Sequence, residues 1–549
     1  MKNEEKLNGA SIFTEKGFTL VKAGKLEEAI RRFDEAIKSN PNLANVWLGK
    51  GAVLGKLERY EEAITCFDTA IKMNPKDARL WYNKGLALGL LGKYNEALKC
   101  FNISIELCPS DALVWYNKGI ALGKLNTYDE AIECYEEATR LDPKLVDAWG
   151  GKGLLLKELG RHEEAVKCFD EIIRLRQGDY RRAWYEKGES LIELGRYEEA
   201  VYCYDKAIGI DPNNANVWHK KGAVLDKIGK YEEAFRCFDE VIRLNASDDE
   251  AWYGKGMMLE KLCKYEEAVK CYDKAIKINP SNAEAWYGKA ISLDRLCRYE
   301  EVIICYDKAI EIDPLNAYAW HNKGSALYKI CRYKEAIICY DKAIKIDPKF
   351  AYAWHNKGIA LTELGRHEEA VKCYDMAMRI NPKEYSAMIK LLWREKGASL
   401  KELGRYEEAI ECFDKLLEIA PTNLDMWYEK GSALHELGRF EEAVKCYDRF
   451  LLFVFDDADA WYDKGTALIE LGRYEEAIEC FDKVIEIDPN DDYTWYNRAQ
   501  MYAIMGDIEN AFESLSKAVG LNSMLKEFAK KDGYFKSLRN DKRFRWIIS

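Results

Sequence analysis

The chain has 549 residues and a net charge of −11, and it is 48% hydrophobic, 12% aromatic and 32% charged. This is the balance of a folded, water-soluble chain. It excludes an extended phosphate-tracking surface, which needs an excess of Lys and Arg on one face. No stretch approaches the roughly 18 uncharged apolar residues of a membrane-spanning helix. The opening MKNEEKLNG lacks the apolar run of a secretory signal. The expectation is a cytoplasmic protein with no nucleic-acid and no membrane partner.

One period organises the whole chain. Trp recurs every 34 residues from Trp47 to Trp495, with one step of 35 after Trp149 and one of 39 after Trp354. All eleven Pro keep the same period, and Phe13 holds the Trp place of one earlier unit. With Trp set as position 4, Gly or Ala falls at position 8 and Leu commonly at 11; these predict the apolar stripe of a first helix. Position 20 is Ala in fourteen of the fifteen units, position 24 is mostly Phe or Tyr, and position 27 is commonly Ala, predicting a second stripe. LGRY-type segments between them, with Gly at position 15 in ten units, predict a turn, and Pro at position 32 ends the second helix. A lone helix pair cannot bury two stripes, so neighbouring pairs must bury them for each other. The Trp side chains are expected to bury roughly 150–250 Å² each and to wedge every pair against its predecessor.

Period and pattern resemble the tetratricopeptide repeat (TPR) family across residues 10–525, about 94% of the chain. The resemblance implies an all-α, right-handed superhelical solenoid of about fifteen helix–turn–helix units with a C-terminal capping helix. First helices would line a concave groove. One departure is consistent: position 7, often Leu in the family, is Lys in fourteen units and Arg498 in the last.

In chain order, residues 1–9 read as an N-terminal tail and 10–384 as units 1–11. The inserted YSAMI at 385–389 reads as a seam, 390–525 as units 12–15 and 526–549 as the cap. In units 2–5, position 9 is Ala52, Leu86, Ile120 and Leu154, with Gly55, Gly89 and Gly123 nearby at position 12. This predicts an apolar groove floor flanked by Tyr82 and Tyr116, with Asn83 and Asn117 beside them. Asn amides both donate to and accept from a peptide backbone. TPR proteins that hold extended peptides use such ladders, so Asn83, Asn117, Asn322 and Asn356 are the candidate peptide contacts, with His321 and His355 adjacent. Position 13 turns from basic (Lys227, Lys261, Arg295, Lys329) to acidic (Glu363, Glu402, Glu436, Glu470). Glu395, Glu429 and Asp463 at position 6 reinforce the acidic stretch, which would suit basic ligands. Near 450 the usual KAIKIDP ending becomes RFLLFVFDD, making Leu452 and Phe455 candidates for self-association.

Chemistry is sparse. Thirteen of seventeen Cys occupy position 23, where a small soft hydrophobe fits a helix stripe. No CxxC occurs, so structural zinc is not expected, and position-23 cysteines on successive repeats, roughly 10 Å apart, stand too far apart for disulfides. The EEA carboxylates recur in most units, as first-turn helix charges do, whereas an active site is singular. Position 7 Lys and the acid at position 25 could pair between helices. No metal or other cofactor and no catalytic residue is expected. The reading is a non-enzymatic scaffold or adaptor binding protein or peptide segments. The alternatives are a self-associating structural scaffold and a TPR regulatory subunit of an enzyme complex.

Overall fold

The computed structural model describes residues 2–380 and 386–549, with side chains for 10–380 and 387–549. Among the described residues there is no strand; thirty-two α-helices and one short 3-10 turn make up the regular structure. The first thirty helices form fifteen antiparallel hairpins, one per sequence repeat. The chain divides into two compact units, Met1–Ile278 and Asn279–Ser549. Within each unit, every second helix packs both on its own partner and on the first helix of the next hairpin. First helices of consecutive hairpins also touch, as Ala78–Leu90 touches Ala112–Lys124 in the N-terminal unit and Leu424–Glu436 touches Ala458–Glu470 in the C-terminal unit. Their side is therefore the inner, more crowded face of each unit.

Local sequence explains the helix limits. Asp or Asn just after the Pro caps several first helices: Asp77 accepts from the Arg79 N–H and Asp111 from the Leu113 N–H, each at 3.0 Å. Except Ile508–Leu521, where Asp507 accepts from the Asn510 N–H at 3.2 Å, the second helices show no side-chain cap among the described residues and use charge instead. Arg59, at the mouth of Tyr60–Met73, grips Glu62 with two bonds of 2.6 and 2.7 Å, and Arg161, Arg196 and Arg405 repeat the clamp on Glu164, Glu199 and Glu408. The second Glu of EEA is thus tied down, where an anion favours the helix N-terminus. Between the helices, position 15 is left-handed in every hairpin, with φ 76° at Gly229, a value that costs Gly nothing. Cys263, Cys297 and Cys331 adopt it at φ 58–60°.

The most buried ring differs from the one expected. The position-24 aromatic is the central knob: Phe67, Phe101, Phe169, Tyr204 and Tyr272 are buried, together with Ala at 20, Cys at 23 and Leu at 11. Full burial of such a ring contributes about 1.5–3 kcal/mol. The Trp rings are only half-buried. Trp after Trp lies over the connection from the previous hairpin, its indole N–H donating to the carbonyl six residues upstream, as in Trp81 to Pro75 at 2.9 Å and Trp427 to Pro421 at 3.2 Å. Because the acceptor is backbone, Pro is dispensable: Trp252 uses Ala246 and Trp461 uses Phe455. The position-7 Lys lies over that indole and reaches back to the acid of the preceding hairpin. Lys84 sits 5.9 Å from the Trp81 ring and 2.6 Å from Asp68; Lys464 does the same with Trp461 and Asp448.

Residues 2–9, expected as a tail, are backbone-helical within Lys2–Lys22. Residues 386–389 of the insertion belong to Ser386–Glu402, which has 17 residues where the usual first helix has 13; Tyr385 lies outside the described residues. At the C-terminus, Leu525–Lys531, the turn Gly533–Phe535 and Lys542–Ile547 close the last hairpin. Phe535 and Phe544 are buried there, whereas Phe528 and Trp546 are exposed.

Candidate functional site

The inner face carries two columns of side chains, positions 5 and 6 of each first helix, and they interlock. A position-5 ring leans on the position-24 ring of its own hairpin: Tyr82 on Phe101 at 6.3 Å, Tyr116 on Tyr135 at 6.0 Å. In several hairpins its polar end then meets position 6 of the next, although Tyr185 accepts from Asn216 at position 2 at 3.3 Å. Asn117 donates to the Tyr82 hydroxyl at 3.2 Å, Asn322 to Tyr287 at 2.9 Å and Asn497 to Tyr462 at 2.9 Å. Tyr428 instead donates to Asp463 at 2.9 Å. The capping segment continues the rule, since Tyr496 donates to Asp532 at 2.8 Å.

The candidate asparagines therefore have internal work. Asn83 donates to Arg79 O of its own helix at 2.7 Å, and Asn117 also donates to Leu113 O at 2.8 Å. Asn356 donates to His321 Nε2 at 3.0 Å. With Nε2 accepting, the proton sits on Nδ1, which donates to Asn322 Oδ1 at 3.0 Å. Tyr287, Asn322, His321 and Asn356 thus form one relay across three hairpins. Burial pushes the His321 pKa below its ordinary value, which matches the neutral ring the relay requires. His355 is buried, and its pKa is likewise lowered by burial.

Leu86, Asn117 and Ile120 line one cavity of ≈ 290 Å³ together with Gly89, Tyr94 and Lys124, among others. The acidic stretch is partly offset from within. Glu395 pairs with Arg394 at 2.7 Å, Glu429 pairs with Lys401, and Glu363 accepts from Tyr328 at 3.2 Å. Desolvation raises the Asp463 pKa. Glu402, Glu436 and Glu470 remain exposed. Leu452 and Phe455 are 66% and 73% exposed, and Phe453 joins them at 65%.

A second inner-face cavity, of ≈ 200 Å³, opens at Gly150 between Tyr116, Phe169 and Glu186. The reading of the sequence passed over it. Its signal is a break in a column: from Tyr82 to His355 position 5 is Tyr or His except at Gly150. Among the described residues, no three His, Cys, Asp or Glu side chains converge to hold a metal ion, and no helix is long and apolar enough to cross a membrane. The cysteines form no disulfide among the described residues, and thirteen of them are buried.

Family models described as tetratricopeptide repeat match residues 78–111, 112–145, 249–282, 283–316, 317–350, 351–384 and 458–491. Others of that description match 146–179, 215–248, 394–453 and 480–513, and one described as TPR repeat matches 56–92 and 188–229. Among solved structures, the chain is similar to YrrB, described as a TPR protein with an unusual peptide-binding site. The identity is 24% over 34% of this chain and 97% of that one, with a TM-score of 0.31. It is similar to MamA (41-end) from Desulfovibrio magneticus RS-1 at 25% identity, covering 31% and 96%, TM-score 0.30. A C-terminal part of a TPR repeat-containing protein from Cytophaga hutchinsonii matches at 19% identity, covering 43% and 97%, TM-score 0.40. A search of curated proteins finds no match.

Proposed function

The chain belongs to the tetratricopeptide repeat family, and from that premise we propose a non-enzymatic scaffold that holds segments of partner proteins along its first-helix face. The observation that carries this reading is the apolar cavity of ≈ 290 Å³ lined by Leu86, Asn117 and Ile120. It is concave, mostly apolar and edged by the Asn117 amide, the Tyr94 phenol and Lys124, the composition of a side-chain-accepting site. Asn117 keeps its Oδ1 to accept from a partner's backbone, while its Nδ2 holds the adjoining hairpin. In the C-terminal unit, exposed Glu402, Glu436 and Glu470 give the same face an acidic edge suited to basic segments.

Photo-crosslinking residues placed at Leu86 and Ile120 should capture partners, which mass spectrometry then identifies, while the same residue at exposed Lys99 on a second helix should not. Equal capture from both faces removes the reading. The pull-down should also lose prey with the double variant Asn83→Ala/Asn117→Ala.

Self-association is a second reading, supported by the contiguous exposure of Leu452, Phe453 and Phe455. Light scattering across a concentration series should show a mass that rises for the native chain and stays monomeric for Leu452→Asp/Phe455→Asp. A concentration-independent monomer in the native chain ends it.

A further inference from the structure

The cavity at Gly150 has the form of a missing ring. In the adjoining hairpins the position-5 tyrosines fill the equivalent space, Tyr116 lying 6.0 Å from Tyr135 and Tyr185 6.0 Å from Tyr204. In the hairpin between them the position-24 ring is Phe169, which is buried and lines the core side of the cavity, and position 5 supplies no ring to lie against it. A Cβ added at Gly150 would meet only Ile172 Cδ1, at 3.9 Å. The volume of ≈ 200 Å³ exceeds the roughly 150 Å³ apolar cavity that suffices for benzene.

The polar end of the missing ring is also provided for. The position-5 phenols of Tyr82, Tyr287, Tyr428 and Tyr462 bond to position 6 of the next hairpin, Tyr428 by donating to a carboxylate, Asp463, whereas Tyr185 accepts from Asn216 at position 2. The matching residue here is Glu186, whose side chain is 13% exposed. Lys157 holds its Oε2 at 2.7 Å, and Arg182 Nε stands 3.7 Å from Oε1, which leaves that oxygen able to accept a further bond. On the other side, Tyr116 faces Gly151, which has no side chain to bond its hydroxyl.

We propose that this cavity receives a tyrosine side chain from a partner protein, its ring seated on Phe169 and Ile172 and its hydroxyl donating to Glu186. The guest supplies from outside the ring that neighbouring hairpins supply from within. An aliphatic side chain would leave the carboxylate without its donor, and phenylalanine would fill the space but not make the bond. The proposal rests on the inner-face reading above and assigns that face one specific anchor.

The test uses the full chain and a short probe, acetyl-Ala-Ala-Tyr-Ala-Ala-amide fluorinated on the tyrosine ring, followed by fluorine NMR titration. The native chain should give a saturable shift, with the fluorophenylalanine analogue binding roughly tenfold more weakly for loss of a hydrogen bond to a carboxylate. Gly150→Tyr fills the cavity with the chain's own ring and should abolish the shift while leaving the thermal midpoint unchanged or higher. Glu186→Leu should erase the preference for tyrosine over phenylalanine without abolishing ring binding. A native chain that gives no saturable shift, or a Gly150→Tyr chain that binds the probe as well as native, overturns the proposal. A partner crosslinked through Leu86 and Ile120 that binds Gly150→Tyr undiminished overturns the tyrosine pocket alone and leaves the inner-face reading intact.

Discussion

Two glycines in first helices should respond to the same substitution with opposite signs. Gly256 lies inside Asp249–Lys261, and a Cβ built there falls 2.7, 2.9 and 3.0 Å from Cε1, Cδ1 and Cζ of Tyr272. Ordinary contact begins at 3.4 Å, so the ring must retreat by 3.4 − 2.7, or 0.7 Å. It has little room, being fully buried, with its hydroxyl bonded to Glu260 Oε2 at 3.1 Å. Overpacking of this kind costs about 1–3 kcal/mol, against a gain in helix propensity of about 0.8–1 kcal/mol for Gly to Ala. Packing wins, and Gly256→Ala should lose about 1 kcal/mol. Gly150→Ala, inside Val146–Glu158, meets nothing nearer than 3.9 Å and keeps the propensity gain, so it should gain about 0.5–1 kcal/mol. Hydrogen-exchange mass spectrometry resolves hairpins individually. Exchange over 249–278 should quicken about fivefold in the first variant and exchange over 146–175 should slow in the second, 1 kcal/mol being about a factor of five. If both variants gain protection, the close approach of the position-24 ring is not what dictates glycine at position 8.

Four further outcomes are expected. A double-mutant cycle on Lys430 and Asp414 should give a coupling below about 1 kcal/mol that shrinks with added salt, because the carboxylate is about half exposed. Cys263→Gly should stabilise the chain by about 0.5–1 kcal/mol by relieving a left-handed backbone in a residue with a Cβ, read as a higher urea midpoint. Thiol titration of the native chain at pH 8 should find exposed Cys263, Cys297 and Cys331 reacting fast. The buried set should react only on denaturation, since burial pushes thiols such as Cys203 and Cys412 up to about 11. The pKa of His321 is lowered by burial, so between its folded value and the ordinary 6.5 the unfolded chain holds more protons than the folded one. Its contribution to stability is therefore complete above about pH 6.5 and lost as pH falls below it. Exchange protection of helices Ala317–Lys329 and Ala351–Glu363 should drop on acidification, and less so in His321→Gln.

The architecture was legible because each device repeats. One Trp or one Pro is ambiguous, but a 34-residue recurrence fixes two amphipathic stripes, a turn and a stop in every unit. The pairing of position 7 with position 25 was also readable as charge. Its direction was not: Lys84 bonds Asp68 of the preceding hairpin, and only the stacking offset decides that.

Apolar positions of the candidate site were legible from helical phase, and polar partnerships between hairpins were not. Leu86 and Ile120 were readable as a cavity floor from their helical phase. That Asn117 and Asn356 would spend their amides on Tyr82 and His321 was not, because those contacts span 35 residues of sequence and one hairpin of space. The same limit applies to the Trp column. Sequence marked the rings as periodic and apolar, yet whether position 4 or position 24 fills the core depends on which ring the next hairpin covers. The void at Gly150 is the clearest case. The sequence states that a tyrosine is missing from its column, and only the packed neighbours, Phe169 beneath and Glu186 across, turn that omission into a cavity with a wall and an acceptor. Periodicity is a property of one chain direction; complementarity belongs to surfaces that meet only when the hairpins stack.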